Sequence, residues 1–360
     1  MPTTLPSFLD HIDRMTGYIP GEQPRQAGLI KLNTNENPYP PSPTVLDRLR
    51  QAVTEDLRKY PDAGATGIRD RLSNLFGAPA SHFVIGNGSD ELLNVILRCF
   101  AGPGDTVVYP TPTYPYYDKL IQLQDAVPCP VDLDEDFALQ IDDLVQPEAR
   151  LTLLANPNSP TGRGLPNDTV EELASRVSGI LVIDEAYVDF SRQGALEMVQ
   201  RYPHVIVTRT LSKSFSLAGI RVGFACADPT IAAGIWKVKE HYNVSSLSLV
   251  AAEAALDDIG SMHDHARRVV ATRERLAQQL RQRDFFVWES QANFVLARLP
   301  AGPDQPGDAR PLYEGLKDRG YLVRYLDGQP RLTDCLRISI GTDDQIDGLL
   351  GAIDETNSQT

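Results

Sequence analysis

Short apolar runs alternate with segments of helical periodicity over the first two thirds of the chain. Six of these runs have the length and composition of buried strands: 83–86, 106–109, 150–155, 179–184, 204–210 and 221–227. Between them lie periodic segments such as SDELLNVILRCF and NDTVEELASRV, which open with Ser or Asn followed by acidic residues, as helix N-termini do. Strands that alternate with helices predict an α/β fold with a largely parallel sheet.

The pattern changes near residue 245. Two long helical stretches follow, and then the strand-like runs FFVWE, NFVLARL and CLRISI with helical segments between them, which predict a second, smaller α+β domain. The first forty or so residues are rich in Pro, Gly and Asn, which is typical of an extended arm. We therefore predict an arm over 1–45 that packs with the small domain, a large domain over 46–245 and a small domain over 246–360.

Composition limits the classes of ligand. The chain has 360 residues, 34 Lys and Arg against 48 Asp and Glu, and a formal charge of −14. This field repels nucleic acid and anionic membrane surfaces, so neither is predicted as a partner. An anionic small molecule would therefore need a local cluster of donors and cations.

Metal and disulfide sites are not predicted. The four cysteines lie far apart without a C-x-x-C pair, which favours reduced, buried thiols. His263 and His265 are two positions apart on a predicted helix and point in different directions, so an exposed helical face is the better interpretation. The N-terminus lacks a basic region followed by an apolar stretch, and no apolar run approaches ~20 residues, so the expected location is the cytoplasm.

Ligands of open parallel sheets bind at the carboxyl ends of the strands, so the residues after each predicted strand are candidates for a site. The strand at 83–86 is followed by Asn87, Gly88, Ser89 and Asp90 and then by a helix, which suits an anion, although a Ser at a helix start is also a common cap. The segment 156–162, NPNSPTG, supplies an amide at Asn158, or is simply a turn.

Two further strand ends carry charged side chains. Asp184 ends a buried strand, where a carboxylate is costly unless it meets a cation or a donor. Lys213 follows the next strand with hydroxyls before it and Arg221 eight residues after it. Either these cations are solvated surface residues, or Lys213 is a Schiff-base nucleophile and Arg221 binds a phosphate. Pyridoxal phosphate needs a lysine, a carboxylate, donors to its phenolic oxygen and an anion site in one place.

The order of GNGSDE, PTYPYY, NPNSPTG, DEAYVDF and RTLSKSFSLAGIRVGF resembles the fold-type I pyridoxal-phosphate aminotransferases over nearly the whole chain. KLNTNENPYPPSP, KYPD and LRISIGT add a similarity to the histidinol-phosphate aminotransferases within them. Ser159 departs from the second Asn that many relatives have. The resemblance implies a large domain with a mostly parallel seven-stranded sheet sandwiched by helices and a smaller α+β C-terminal domain. It also implies the cofactor pyridoxal 5′-phosphate, an amino donor and 2-oxoglutarate.

The resemblance also implies a role for each matched residue. Lys213 would form a Schiff base with the cofactor and then move a proton as general base, and Asp184 would pair with the pyridinium nitrogen. Tyr187, the third catalytic residue, would bind the phenolic oxygen together with Asn158, and Tyr114 would stack on the ring. The residues implied around the phosphate are Gly88, Ser89, Asp90, Thr210, Ser212 and Arg221. Those implied around the substrate are Tyr18, Asn35, Arg324 and Arg337.

Tyr60 of KYPD would reach the phosphate of the partner subunit's cofactor, so the resemblance implies an obligate homodimer. Arg324 has an alternative interpretation as a surface cation at a strand end.

Three functions stay open on this basis. The first is transfer of the amino group of histidinol phosphate to 2-oxoglutarate. The second is another reaction on the same scaffold, by an aromatic amino acid aminotransferase or a threonine-phosphate decarboxylase. The third is a catalytically silent regulator that binds the cofactor, which the acidic chain and the complete lysine motif disfavour.

Overall fold

The structure, a computed structural model, describes residues 7–24, 28–191, 193–300, 307–329 and 331–358. Its strands are β1 (Ile30–Lys31), β2 (Phe83–Gly86), β3 (Thr106–Thr111), β4 (Val127–Asp132), β5 (Ala149–Ala155), β6 (Ile180–Asp184), β7 (Val205–Thr210), β8 (Gly223–Cys226), β9 (Phe286–Val287), β10 (Phe294–Arg298), β11 (Tyr321–Leu322), β12 (Arg324–Tyr325) and β13 (Cys335–Ser339). Its helices are α1 (Asp10–Arg14), α2 (Pro43–Ala52), α3 (Thr66–Phe76), α4 (Ser89–Phe100), α5 (Tyr116–Leu123), α6 (Ile141–Leu144), α7 (Asn167–Arg176), α8 (Met198–Arg201), α9 (Pro229–Val238), α10 (Ser246–Asp257), α11 (Ile259–Arg281), α12 (Arg310–Asp318) and α13 (Asp343–Asn357).

The central sheet has seven strands in the order β2, β8, β7, β6, β5, β3, β4. Strand β8 is antiparallel to both of its neighbours, and the other pairings are parallel. The α/β fold class with a mostly parallel seven-stranded sheet is therefore confirmed. Each of the six strands that the sequence predicts is present, with ends that differ by at most a few residues.

The sequence pattern missed the edge strand β4. Its sequence, VPCPVD, carries two prolines, and its residues are exposed or half-buried, so it lacks the continuous apolar run of a central strand. Proline is tolerated on an edge strand because one side of that strand needs no ladder hydrogen bonds.

Alternation along β6 and β7 divides the core of the large domain into two layers. Leu181 and Ile183 pack on one face of the sheet, and Val182 packs on the other face with Ile206 of β7. Since side chains alternate along a strand, Asp184 projects to the same face as Val182. That face is covered by α4, α5 and α9.

The small domain is built on a separate four-stranded antiparallel sheet in the order β12, β13, β10, β9, with α11, α12 and α13 packed on it. Strand β1 of the arm pairs with β11 beside this sheet, so part of the arm packs with the small domain. The predicted smaller α+β unit is thus confirmed as part of the fold class. Among the described residues, no helix is long and apolar enough to cross a membrane.

The helix α10 packs against α2 and α3 of the large domain, although the sequence analysis assigned it to the small one. Its buried leucines and alanines share the core of the large sheet. The predicted domain limits stay a prediction, and this packing favours a division near residue 258. Parts of the predicted arm and small domain, at 1–6, 25–27, 301–306, 330 and 359–360, lie outside the described residues.

Candidate functional site

A cavity opens at the carboxyl ends of β5, β6 and β7, where the large sheet faces the small domain. The predicted site residues that line it are Tyr18, Asn35, Ser89, Asp90, Tyr114, Asp184, Tyr187, Thr210, Ser212, Lys213, Arg221, Arg324 and Arg337. They come from the arm, from four strand ends of the large sheet and from two strands of the small sheet. Gly88, Asn158 and Tyr60 were also predicted and are placed outside the lining.

One end of the cavity is built for an anion. Helix α4 begins at Ser89, after Gly88 with φ 86°. A Cβ at Gly88 would lie 2.5 Å from the Arg221 guanidinium, and one at Gly223 would lie 2.6 Å from the Ser89 nitrogen. Glycine at these two positions therefore lets Arg221 and β8 approach the helix N-terminus, where backbone N–H groups and the helix dipole favour an anion.

Hydroxyls and a carboxylate complete this anion site. Arg221 donates to the Ser212 hydroxyl at 3.2 Å, and Thr210 donates to the same hydroxyl at 2.9 Å. The Asp90 carboxylate lies 3.6 Å from the Arg221 guanidinium and accepts a hydrogen bond from Tyr114 at 3.1 Å. Asp90 therefore orients its two neighbours through its side chain, and only its backbone N–H can serve an anion.

Asp184, at the carboxyl end of β6, also lines the cavity and is 5% exposed. Tyr117 donates to its Oδ2 at 2.9 Å, and Thr208 donates to its Oδ1 at 3.3 Å. Burial raises the pKa of Asp184 to about 6 from 3.8, against the opposing effect of these hydrogen bonds. The described side chains thus provide hydroxyl donors to this carboxylate but no ion pair, which leaves it suited to a cationic ligand.

Lys213 is the one lysine among the described residues that line the cavity. Its Nζ donates to the Thr34 carbonyl at 3.3 Å and lies 5.7 Å from the centre of the Tyr187 ring. Asn37 fixes the backbone behind it by donating to the carbonyls of Lys213 and Ser214 at 3.1 and 3.0 Å. Backbone contacts therefore hold the amine at the cavity, where it forms no salt bridge with the described carboxylates.

Tyr187 is oriented by a chain of polar contacts that crosses to the small domain. Asn35 donates to the Tyr187 hydroxyl at 3.0 Å, and Ser339 donates to the amide oxygen of Asn35 at 2.8 Å. Asn293 donates to the Asn35 carbonyl at 2.9 Å. Asn35 has φ 56°, a left-handed conformation that asparagine tolerates better than most residues. The predicted substrate residue Asn35 thus also supports a predicted cofactor residue.

Asn158 lies beside the cavity with its side chain already engaged. Its amide nitrogen donates to the Pro112 carbonyl and to the Thr161 hydroxyl at 3.0 and 2.9 Å, and Thr113 donates to its amide oxygen at 2.7 Å. The predicted contact between Asn158 and a phenolic oxygen requires one of these bonds to be exchanged. That contact stays a prediction.

The small domain contributes two arginines. Arg324 of β12 pairs directly with Arg337 of β13 in an antiparallel ladder, and both line the cavity. Arg337 donates to the Ser159 hydroxyl at 3.1 Å and to the Asn33 carbonyl at 2.8 Å. Burial, and then the charge of Arg324, lower the pKa of Arg337, while Tyr187 and Tyr18 act in the opposite direction. Two like charges on paired strands favour an anion between them.

The arm closes the side of the cavity next to these arginines. The Tyr18 ring packs edge-on against Tyr114 and Tyr116, with centroids at 6.4 and 5.3 Å. Burial raises the pKa of Tyr18, and the two arginines oppose that effect. Tyr60 is different: its side chain is 81% exposed and stacks on Tyr242 at 4.5 Å, away from the cavity of its own chain.

Sequence reasoning missed several residues of the site. Tyr117 and Thr208 hold Asp184, and Asn33 and Ser159 hold Arg337. Thr208 could have been found from the parallel register, since it is the β7 partner of Asp184. Tyr117 gave no separate signal, because its motif holds three tyrosines and the pattern does not say which of them points inward.

Comparison with known proteins gives a consistent result. Residues 27–353 match the family model for class I and II aminotransferases. Two curated relatives, both called histidinol-phosphate aminotransferase 1, come from Trichormus variabilis and a Nostoc species and are 43% and 44% identical to this chain. These alignments cover 94% and 96% of this chain and 95% and 97% of the relatives.

A solved structure has the same fold. The crystal structure of histidinol-phosphate aminotransferase from Sinorhizobium meliloti in complex with pyridoxal-5′-phosphate superimposes with a TM-score of 0.87 at 26% sequence identity. The superposition covers 99% of this chain and 100% of that one.

Proposed function

The chain belongs to the class I and II aminotransferases, and from this premise we propose that it is a pyridoxal-phosphate-dependent histidinol-phosphate aminotransferase. The reaction moves the amino group of histidinol phosphate to 2-oxoglutarate and gives imidazole-acetol phosphate and glutamate. The observation that carries this choice of substrate is the pair Arg324 and Arg337 on neighbouring strands at the cavity.

The residues of the cavity fit pyridoxal phosphate. The cradle at Gly88 is a place that a Cβ would fill, and it offers N–H groups, hydroxyls and Arg221 to a phosphate. Burial disfavours the charge of the Asp184 carboxylate, so a protonated ring nitrogen beside it would stabilise the ionised form. Lys213 supplies the amine. A phosphate site, a carboxylate and a lysine amine are the groups that this cofactor requires.

Bound pyridoxal phosphate supplies an electron sink that stabilises negative charge on the substrate Cα. The protein contributes orientation and proton transfer. Lys213 would bind the cofactor aldehyde and, once displaced by the amino substrate, hold the proton removed from Cα on its Nζ. Asp184 would keep the ring nitrogen protonated, and Tyr187 would donate to the phenolic oxygen.

The substrate pair explains why two arginines face the cavity. Histidinol phosphate has no α-carboxylate and presents a phosphate instead, whereas 2-oxoglutarate presents carboxylates to the same residues. Guanidinium groups bind both anions through paired, charge-assisted hydrogen bonds, each contributing ~1.5–3 kcal/mol. We assign the phosphate dianion to Arg324 and Arg337 together, with Tyr18 donating from the arm.

A panel of amino donors tests this function. We expect the purified enzyme to prefer histidinol phosphate to phenylalanine and tyrosine, with glutamate formation from 2-oxoglutarate as the measurement. We expect Arg324→Ala to lower kcat/KM for histidinol phosphate by at least ~10-fold, since it removes one charged bond to the phosphate. The loss with phenylalanine should be smaller, because a carboxylate needs only one arginine.

Arg337→Ala is the matched comparison for this prediction. Arg337 is fixed at the cavity by Ser159 and Asn33, so its loss should damage turnover of both donors. A preference of the wild-type enzyme for phenylalanine or tyrosine would contradict the proposal and favour an aromatic amino acid aminotransferase. Release of carbon dioxide from threonine phosphate would favour the decarboxylase, and cofactor binding without turnover of any amine would favour the regulator.

We also propose that the enzyme is a homodimer in which Tyr60 serves the partner's site. Tyr60 stacks on the exposed Tyr242 and lies close in sequence to two further exposed apolar side chains, Val53 and Leu57, whose exposed fractions are 62% and 46%. An exposed aromatic and aliphatic surface of this kind favours burial against another protein. This surface supports a subunit interface, and the Tyr60 hydroxyl is the group that would donate to the cofactor phosphate of the partner subunit.

A mixed dimer tests the contribution of Tyr60. We expect Tyr60→Phe to weaken cofactor binding in the homodimer, measured by titration of the cofactor-free protein. A mixed dimer of Tyr60→Phe with Lys213→Ala should regain one intact site, because the wild-type lysine of one subunit then faces the wild-type tyrosine of the other. A mixed dimer whose cofactor affinity stays as weak as that of the Tyr60→Phe homodimer would show that Tyr60 acts within its own chain.

A further inference from the structure

The hydroxyls of Tyr117 and Thr208 both donate hydrogen bonds to the carboxylate of Asp184. We propose that Tyr117 is a positioning residue that, together with Thr208, holds Asp184 ionised and in a fixed orientation for the cationic ring nitrogen of the cofactor. The inference concerns the same site as the proposed function and rests on its cofactor, but not on the identity of the amino donor.

The contact geometry supports this assignment. The Tyr117 hydroxyl lies 2.9 Å from Oδ2 of Asp184, and the Thr208 hydroxyl lies 3.3 Å from Oδ1. Each carboxylate oxygen therefore receives its own donor from a different element. Two donors on different oxygens fix the plane of the carboxylate, which one donor alone would leave free to rotate about χ2.

Burial of Tyr117 restricts its hydroxyl to the contact with Asp184. The ring is fully buried in the apolar layer that also contains Val182 and Ile206, on the face of the sheet to which Asp184 projects. Burial, and then the charge of Asp184, raise the pKa of Tyr117 well above 10. The hydroxyl therefore stays protonated at working pH and can only donate to a carboxylate.

The position of Thr208 has an equally simple cause. It is the parallel partner of Asp184 in the β6–β7 ladder, so its side chain lies on the same face of the sheet beside the carboxylate. It is completely buried. A buried threonine at a central strand position needs a partner for its hydroxyl, and Asp184 provides one.

The electrostatic need is clear from the surroundings of Asp184. Burial disfavours its charge, and the Asp90 carboxylate adds to that effect, while the two hydroxyls and the Ala186 N–H oppose it. The titratable groups around Asp184 are Tyr117, which contacts it directly, and Asp90 and Tyr114, which interact with it electrostatically. Tyr187 and Lys213 line the same cavity. Loss of either hydroxyl removes a hydrogen bond that stabilises the ionised carboxylate, so the pKa of Asp184 should rise further.

The test compares two buried tyrosines, Tyr117 and Tyr109, each of which donates a hydrogen bond to an aspartate. Tyr117→Phe removes the donor to Asp184, whereas Tyr109→Phe removes a donor to Asp118 of α5, which does not line the cavity. The Asp184 carboxyl is titrated in the cofactor-free protein by ¹³C NMR with labelled aspartate. Cofactor affinity is measured separately by fluorescence titration.

We expect Tyr117→Phe to move the titration of Asp184 upward by about one pH unit and to weaken cofactor binding by ~10-fold or more. In the loaded enzyme the low-pH limb of the kcat profile should move upward in the same way, with KM little changed. Tyr109→Phe should leave the Asp184 titration and the cofactor affinity at their wild-type values. Thr208→Val removes the other donor and should give a shift of the same sign, which keeps the test available if Tyr117→Phe folds poorly.

An Asp184 titration that is the same in wild type, Tyr117→Phe and Thr208→Val would overturn the inference. Equal shifts in Tyr117→Phe and Tyr109→Phe would also overturn it, because they would indicate general loosening of α5. The titration uses neither substrate nor turnover, so its outcome is separate from that of the amino-donor panel. An enzyme that rejects histidinol phosphate but shows the shift would contradict the proposed substrate alone.

Discussion

Replacing Lys213 by alanine should abolish amino transfer while the protein keeps its fold. The lysine has a covalent role and a proton-transfer role, so the loss should exceed the ~10²–10⁴-fold that is typical of a general base alone. The side chain is half-buried, donates to the Thr34 carbonyl and forms no salt bridge with the described residues, so its removal should leave the fold intact. Turnover is measured as glutamate formation, and the fold by circular dichroism and thermal unfolding.

Lys213→Arg is the matched control for this prediction. Arginine keeps the positive charge at the cavity but does not form an imine at working pH, so it should be as inactive as alanine. Both variants should also lose the visible absorption band of the lysine-bound cofactor while they keep the phosphate contacts of Arg221 and Ser212. Wild-type turnover in either variant would show that Lys213 is not the nucleophile.

Asp184→Asn should lower kcat strongly and change KM little. The amide keeps the shape of the carboxyl and can still accept from Tyr117, but it removes the charge that keeps the ring nitrogen protonated. That charge acts mainly in the transition state for proton removal, where negative charge spreads into the ring. A variant with unchanged kcat and an altered KM would place this carboxylate outside the chemical step.

The same substitution should stabilise the cofactor-free protein at neutral pH. The pKa of Asp184 is about 6 in the folded chain and 3.8 as its ordinary value, so the folded state binds this proton more tightly than the unfolded state. Ionised Asp184 therefore destabilises the fold, by an amount that is absent below pH 3.8 and complete above about pH 6. Its full size is about 3 kcal/mol at 1.36 kcal/mol per pH unit.

Thermal unfolding of the cofactor-free proteins at two pH values checks this expectation. Asp184→Asn should unfold at a higher temperature than wild type near pH 8, and the difference should vanish near pH 3.5. Saturating cofactor should reverse the order at pH 8, because only the wild-type carboxylate binds the ring nitrogen. Equal unfolding temperatures at pH 8 without cofactor would show that the buried charge costs the fold nothing.

The sequence by itself determined the fold class, the family and most of the residues that line the cavity. Buried parallel strands have continuous apolar runs, and their carboxyl ends meet at one edge of the sheet. Asp184, Thr210 and Lys213 therefore had to lie near one another once their strands were recognised. The motif order predicted the aminotransferase family, and the family comparison confirms it.

Only the tertiary structure decided which side chains support those residues. Tyr117 reaches Asp184 because the first turn of α5 packs on one face of β6, and Arg324 meets Arg337 because β12 and β13 pair in one register. Helix α10 is apolar on several sides, so its sequence alone does not say whether the large or the small domain covers it. Contacts between residues distant in sequence depend on how whole elements pack, and local periodicity carries no information on that packing.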